Sequence, residues 1–199
     1  MYKINEIAGV DEVGRGCLAG PVFSAAVILN DKINMKDIKD SKKINFKKRI
    51  LLAEYIKKNS VYALGSVSVK EINQINILNA SLLSMERALQ KLKRRPLIAY
   101  IDGIFAPKNT SIKCKTFIKG DERIKCISAA SIIAKVARDL FMINLAKKYP
   151  KYLWHKNFGY GTRHHLNSLK IFGITEQHRR TFKPIHNILM KSSRETQLG

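Results

Sequence analysis

A short apolar run, Ile7-Ala8-Gly9-Val10, lies within a candidate strand over 6–10, stops at two adjacent acids, Asp11 and Glu12, and is followed by Gly14-Arg15-Gly16. This pattern predicts a first strand ending at Asp11. Side chains alternate along a strand, so both acids cannot point into one sheet core; Asp11 is aimed into a crevice and Glu12 lies on the departing backbone. Gly14 and Gly16 let the main chain come close to a ligand, with Arg15 held between them. Residues 21–29 are apolar or small and predict a second, largely buried strand, with Asn30-Asp31 as a turn. Residues 36–43 read as a polar loop containing Asp40-Ser41-Lys42-Lys43.

Further along, the period shifts repeatedly. Asn45 is placed to cap a helix over 45–58, with Ile50, Leu51, Ala53, Tyr55 and Ile56 on its apolar face. Residues 61–69 alternate as a strand, in which Gly65 marks a bulge or close approach. Over 71–92, Ile75, Leu78, Leu82, Met85, Leu89 and Leu92 recur at threes and fours, which predicts a helix that Pro96 closes off. A buried strand over 97–101 ends at Asp102, and a strand over 113–118 leads into Lys119-Gly120-Asp121. A long helix, starting near Arg123 or Ser128 and ending near Lys147, is dense in alanine and serine, so its axis can lie close to the sheet. Beyond Pro150, aromatic and basic residues interleave; helices are expected over 162–171 and near Glu176, with a frayed polar tail over 191–199. Together these elements predict an α/β fold, a mixed central sheet flanked by helices over 1–150, with a helical extension over 151–199.

Composition sharpens this picture. The 199 residues carry 37 Lys and Arg against 15 Asp and Glu, a formal charge of +22. So large an excess repels itself and suits a polyanionic partner, although drift toward lysine explains part of it. The 45% hydrophobic content is that of a folded domain. Cys17, Cys114 and Cys126 are few, odd in number and far apart, so they read as free thiols. The first residues carry no leader-like run and no stretch approaches a membrane span, so a soluble, cytoplasmic protein is expected.

In a chain this poor in acids, Asp11 with Glu12, Asp102 and Asp121 share one context, the end of a predicted strand or the turn after it. Ligands of open α/β sheets bind at such ends. Converging carboxylates repel one another unless a cation is present, and oxygen-only donors favour Mg²⁺ or Mn²⁺. Two such ions, about 3.5–4 Å apart, suit phosphodiester hydrolysis. Taken singly, each acid fits a strand-end cap equally well.

The stretch Gly9-Val10-Asp11-Glu12-Val13-Gly14-Arg15-Gly16 with Leu18-Ala19-Gly20-Pro21 resembles the opening motif of bacterial ribonuclease HII, the type 2 ribonuclease H. Asp40-Ser41-Lys42-Lys43, Asp102-Gly103, Lys119-Gly120-Asp121, the run from Ser128 to Asp139 and Gly159-Tyr160-Gly161-Thr162 with His165 resemble further blocks of that family, in the same order. The resemblance implies a ribonuclease H-like fold with Asp11, Glu12, Asp102 and Asp121 as catalytic acids holding two Mg²⁺ or Mn²⁺ ions. It implies cleavage on the 5′ side of a ribonucleotide embedded in duplex DNA, and of RNA in RNA–DNA hybrids, leaving a 3′-hydroxyl and a 5′-phosphate. Gly14, Arg15 and Gly16 would grip the ribonucleotide, and Tyr160 would test the sugar beside it. Ser41, Lys42, Lys43, Thr162 and His165 would contact substrate. Phosphate contact and helix capping both fit Ser41, Ser128, Ser131 and Thr162; a surface or capping role fits His165 as well as substrate contact. Phosphate contact and solvation both fit Lys135 and Arg138. Asp139 is expected to pair with a nearby cation, and Trp154 to pack the last helices. Two alternatives are a ribonuclease HIII-like nuclease and a non-catalytic basic nucleic-acid-binding protein of the same fold. A monomer is expected, and no clamp-binding peptide is evident in the tail.

Overall fold

The computed structural model describes residues 2–31, 33 and 45–197; Ser41, Lys42 and Lys43 therefore lie outside the described residues. Among those residues the strands β1 (Ile7–Val13), β2 (Val22–Leu29), β3 (Ser60–Val67), β4 (Ile98–Asp102) and β5 (Lys113–Phe117) form one mixed sheet in the order β3-β2-β1-β4-β5. β1 runs antiparallel to β2, and β2 to β3; β4 is parallel to both β1 and β5. The C-terminal ends of β1 and β4 consequently lie side by side, with Val10 opposite Ile101.

Alternation along β2 builds both halves of the core. Ala25, Val27 and Leu29 pack with Ala53 and Ile56 of α1 (Phe46–Lys58) and with Ile127, Ala130 and Ile133 of α4 (Lys125–Lys148). Ala26 and Ile28 face the opposite way, onto Met85, Ala88 and Leu89 of α2 (Val69–Gln90). The small residues do bring the helices close: a Cβ on Gly9 would stand 2.0 Å from the Cys126 carbonyl carbon, and one on Gly65 2.0 Å from the Ser84 carbonyl oxygen. Gly65 is thus a close approach to α2.

Asn45 caps α1 by accepting from the Lys48 amide at 2.9 Å, while Leu51 lies off the buried stripe and is exposed. Ser68 and Glu71 form a reciprocal capping box at the start of α2. Periodicity alone predicts one continuous helix there. Instead the backbone turns left-handed at Asn76 (φ 63°), and the Asn76 side chain accepts from the Asn79 amide, recapping the second half. A single turn, α3 (Gly120–Arg123), separates β5 from α4.

The final part contains α5 (Trp154–Asn157), α6 (Arg163–Phe172) and α7 (Lys183–Gln197). The expected helix near Glu176 is replaced by an irregular segment, in which His178 bridges to Ala19. The backbone of α7 stays helical through Gln197, where fraying was expected. Leu18 and Ala19 share one apolar cluster with Met142, Tyr152, Trp154, Leu169 and Ile185, so the C-terminal helices pack directly on the loop that follows β1.

Candidate active site

β1 continues through the acidic pair to Val13, beyond the expected end at Asp11; Asp11 pairs with Ala25 and Glu12 with Ser24. The ladder therefore holds both acids, and alternation sends them to opposite faces. Asp11 is 5% exposed and turns toward α4, where the nearby Ser131 favours its charged form; its Oδ1 accepts from the Glu12 amide at 2.7 Å. Glu12 turns toward α2 and lines a crevice of about 170 Å³ with Arg15, Ser81, Met85, Asp102, Gly103 and Phe105. Arg15 Nη1 reaches Glu12 Oε1 at 3.2 Å.

Asp102 closes β4 beside Asp11, and its Oδ1 accepts from the amides of Gly120 (2.7 Å) and Asp121 (3.4 Å). That contact ties the start of α3, and with it Asp121, to the end of β4. Ser128 donates its hydroxyl to the Asp121 carbonyl and fixes α3 against α4.

Electrostatically the site is under-neutralised. Burial, then the Glu12 charge, push the Asp11 carboxyl well above the usual carboxylate range, and Asp102 adds to this. Burial also raises Glu12, against the opposing pull of Arg15. Among the described residues no group of three or more His, Cys, Asp and Glu side chains is drawn together in metal-holding geometry. Glu12 instead reaches Arg15, and Asp102 the amides of Gly120 and Asp121. The donor set nonetheless fits hard divalent cations, being all oxygen and carrying negative charge that burial leaves uncompensated.

The Gly14-Arg15-Gly16 turn borders these acids. Gly14 has φ 96°, and a Cβ there would collide with Arg138 Nε at 2.2 Å. Across the turn, Tyr160 is 39% exposed and its backbone bridges to Cys17; Lys135 Nζ lies 5.7 Å from the Tyr160 ring centre.

His165 and Arg138 depart from the expectations, whereas Thr162, Asp139 and Trp154 take roles the sequence left open or predicted. His165 is fully buried and presents no surface to a substrate; it is enclosed by Trp154, His178 and the Tyr160 carbonyl. Thr162 is the N-cap of α6, accepting from the His165 amide at 3.3 Å. Arg138 is neither solvated nor available to phosphate: it is fully buried and donates to the carbonyls of Pro21, Phe158 and Ala19. Asp139 does pair with a cation, Lys135 at 2.7 Å, and Trp154 is buried as expected.

Arg179 and His178 have no place in the motif reading, yet both are buried at the site's rear. Arg179 donates to the carbonyls of Arg15 and Gly20. The signal for Arg138 exists in the pattern: Ala130, Ala134, Arg138 and Met142 form one i, i+4 row, and the row is buried throughout.

The sequence model of the family described as Ribonuclease HII matches residues 8–185. A ribonuclease HII from Pelagibacter ubique is 55% identical over 183 residues, covering 92% of this chain and 98% of that protein. The crystal structure of ribonuclease H2 from Pyrococcus horikoshii superposes with a TM-score of 0.78 at 26% identity, covering 94% of this chain and 99% of that one. A ribonuclease HII from Archaeoglobus fulgidus, solved in complex with PCNA, gives 0.76 at 27% identity, covering 89% and 95%.

Proposed function

The chain belongs to the ribonuclease HII family, and from that membership we propose that it is a divalent-cation-dependent endonuclease acting on ribonucleotides embedded in duplex DNA and on RNA in RNA–DNA hybrids. It cuts on the 5′ side of the ribonucleotide and leaves 3′-hydroxyl and 5′-phosphate ends. The observation that carries this reading is the meeting of Asp11, Glu12 and Asp102 at the adjoining ends of β1 and β4, each within electrostatic reach of the others, with Asp121 joined to Asp102 through its amide.

In this reading Asp11, Glu12, Asp102 and Asp121 hold two Mg²⁺ or Mn²⁺ ions. When bound, such ions supply an activated water and stabilise the leaving oxygen. The protein's own contribution is placement. Ser131 and the Glu12 amide orient the Asp11 carboxylate, and the α3 amides orient that of Asp102. Amides of the Gly14-Arg15-Gly16 turn grip the ribonucleotide's 2′-oxygen, which alone separates the target sugar from its neighbours. Tyr160, half-exposed across the turn, packs against the adjoining sugar. Lys42, Lys43 and the exposed Lys151, Lys156, Arg163, Lys170, Arg180 and Lys183 hold phosphates without reading bases.

The test is cleavage of a DNA duplex carrying one ribonucleotide, with Mg²⁺, with Mn²⁺ and with a chelator. A single cut 5′ to the ribonucleotide in either metal, and none with the chelator, supports the proposal. Cutting at any other bond, or undiminished cutting with chelator, overturns it.

A further inference from the structure

Arg179 and Arg138 are fully buried, and the hydrogen bonds they make run to backbone carbonyls. Burying a guanidinium against neutral acceptors costs stability that an apolar residue would avoid, so the geometry it imposes is worth asking about. Arg179 Nε and Nη2 meet the Gly20 carbonyl at 3.0 and 2.8 Å, and its Nη1 meets the Arg15 carbonyl at 2.9 Å. The Phe182 ring, 5.1 Å from the guanidinium carbon, and the Arg179 amide on the Leu18 carbonyl hold the arginine in place.

The Arg15 carbonyl belongs to the central peptide of a turn. The Cys17 amide meets the Gly14 carbonyl at 3.4 Å, so Arg15 and Gly16 form the corners. In such a turn the central peptide can sit either way round, the two forms differing by a half-rotation, and glycine at the second corner tolerates both. Gly16 does so without hindrance, since a Cβ there would meet nothing within 4 Å. The turn by itself is therefore ambiguous. Arg179 selects one form by holding the Arg15 carbonyl inward. In a trans peptide the carbonyl and the following amide point in opposite directions, so the Gly16 N–H faces outward, at an exposed position on the rim that carries Glu12 and Arg15.

We propose that Arg179 is a positioning residue: it pins the central peptide of the Gly14–Cys17 turn so that the Gly16 amide is presented as a donor to the ribonucleotide's 2′-oxygen. The inference rests on the reading that this chain cuts at ribonucleotides. Without the pin the peptide flips in part of the population and offers the Arg15 carbonyl, an acceptor, where the donor is needed. The scissile bond is then misplaced although the phosphate contacts, which set affinity, are untouched. Lysine cannot replace the fork, because one ammonium does not hold two carbonyls at fixed angles.

The experiment compares full-length wild type with Arg179→Lys and Arg179→Met. It measures kcat and KM on the single-ribonucleotide duplex with Mg²⁺, affinity for the all-DNA duplex, and folding by circular dichroism. The expected result is a kcat lowered about tenfold or more in both variants, with KM and all-DNA affinity within about twofold of wild type. A kcat for Arg179→Lys within twofold of wild type overturns the inference. So does an equal loss of all-DNA affinity, which points to charge instead of turn geometry. If Arg179→Met does not fold, Arg179→Lys decides; if neither folds, Arg179 serves stability alone and the inference fails. Absence of cutting by the wild type sinks the functional reading and this inference with it, whereas normal wild-type cutting beside an indifferent Arg179→Lys sinks the inference alone.

Discussion

His178 Nε2 lies 3.1 Å from His165 Nε2, with both rings fully buried. The Thr175 amide donates to His178 Nδ1, so His178 carries its proton on Nε2 and gives it to His165. Trp154 Nε1 donates to the same His165 nitrogen, and His165 Nδ1 in turn donates to the Tyr160 carbonyl. Every member of this chain has its direction fixed, and it ends on the backbone of the residue proposed to pack against substrate. It works only while both imidazoles are neutral.

The stability contributed by this histidine pair should therefore fall on mild acidification. Burial, reinforced by His165, pushes the His178 imidazole down to about 4, and burial lowers His165 as well. A histidine lowered on folding binds its proton more readily in the unfolded chain. Its contribution is complete above about pH 6.5 and is lost as pH falls toward 4, amounting to about 2 kcal/mol by pH 5. Asp11 and Glu12, raised on folding, push the other way as pH falls. The measurement is thus the difference in urea stability between wild type and His178→Asn from pH 8 to pH 5. It should shrink with acid; a constant difference contradicts the assignment.

Arg138→Met should destabilise the protein by about 3–5 kcal/mol, because it strands the carbonyls of Ala19, Pro21 and Phe158 in the interior. Urea denaturation reads this directly. A loss below about 1 kcal/mol would mean that water replaces the guanidinium there.

These buried basic groups mark where sequence reading stops. The sheet, its flanking helices and the acidic positions are legible because each depends on a local pattern: alternation in β2, a helical stripe in α4, an acid after an apolar run. Arg138, Arg179 and His165 carry polar side chains normally found at the surface. Their burial depends on carbonyls and rings brought in from distant segments, as with Arg179 and Arg15, 164 positions apart in sequence. The break at Asn76 escapes for a different reason, since one left-handed residue leaves the apolar spacing on either side almost intact. The course of β1 past Asp11 follows from pairing with β2, which no property of β1 alone reports.

Asp11→Asn should raise stability at pH 8 by about 1–2 kcal/mol, since it removes a buried charge facing Glu12 and Asp102. Thermal unfolding without divalent metal checks this. An unchanged or lower midpoint would show that the Ser131 and Glu12 amide contacts outweigh the repulsion.

Duplex affinity should depend steeply on salt. With a formal charge of +22 and the proposed phosphate contacts, Kd for an all-DNA duplex should rise about tenfold or more between 50 and 200 mM KCl. A change below about twofold would argue that the lysine excess does not face nucleic acid.

In the proposed mechanism the acids at the ends of β1 and β4 hold the ions that promote cleavage of the nucleic-acid strand, and this role can be measured. It is tested most directly by following Mn²⁺ binding and cleavage of a single-ribonucleotide duplex together, in wild type and in Asp102→Asn. Saturable Mn²⁺ binding that tracks cutting in the wild type is expected, with both lost in Asp102→Asn while duplex affinity stays within about twofold. Cutting by Asp102→Asn at the wild-type rate would contradict it.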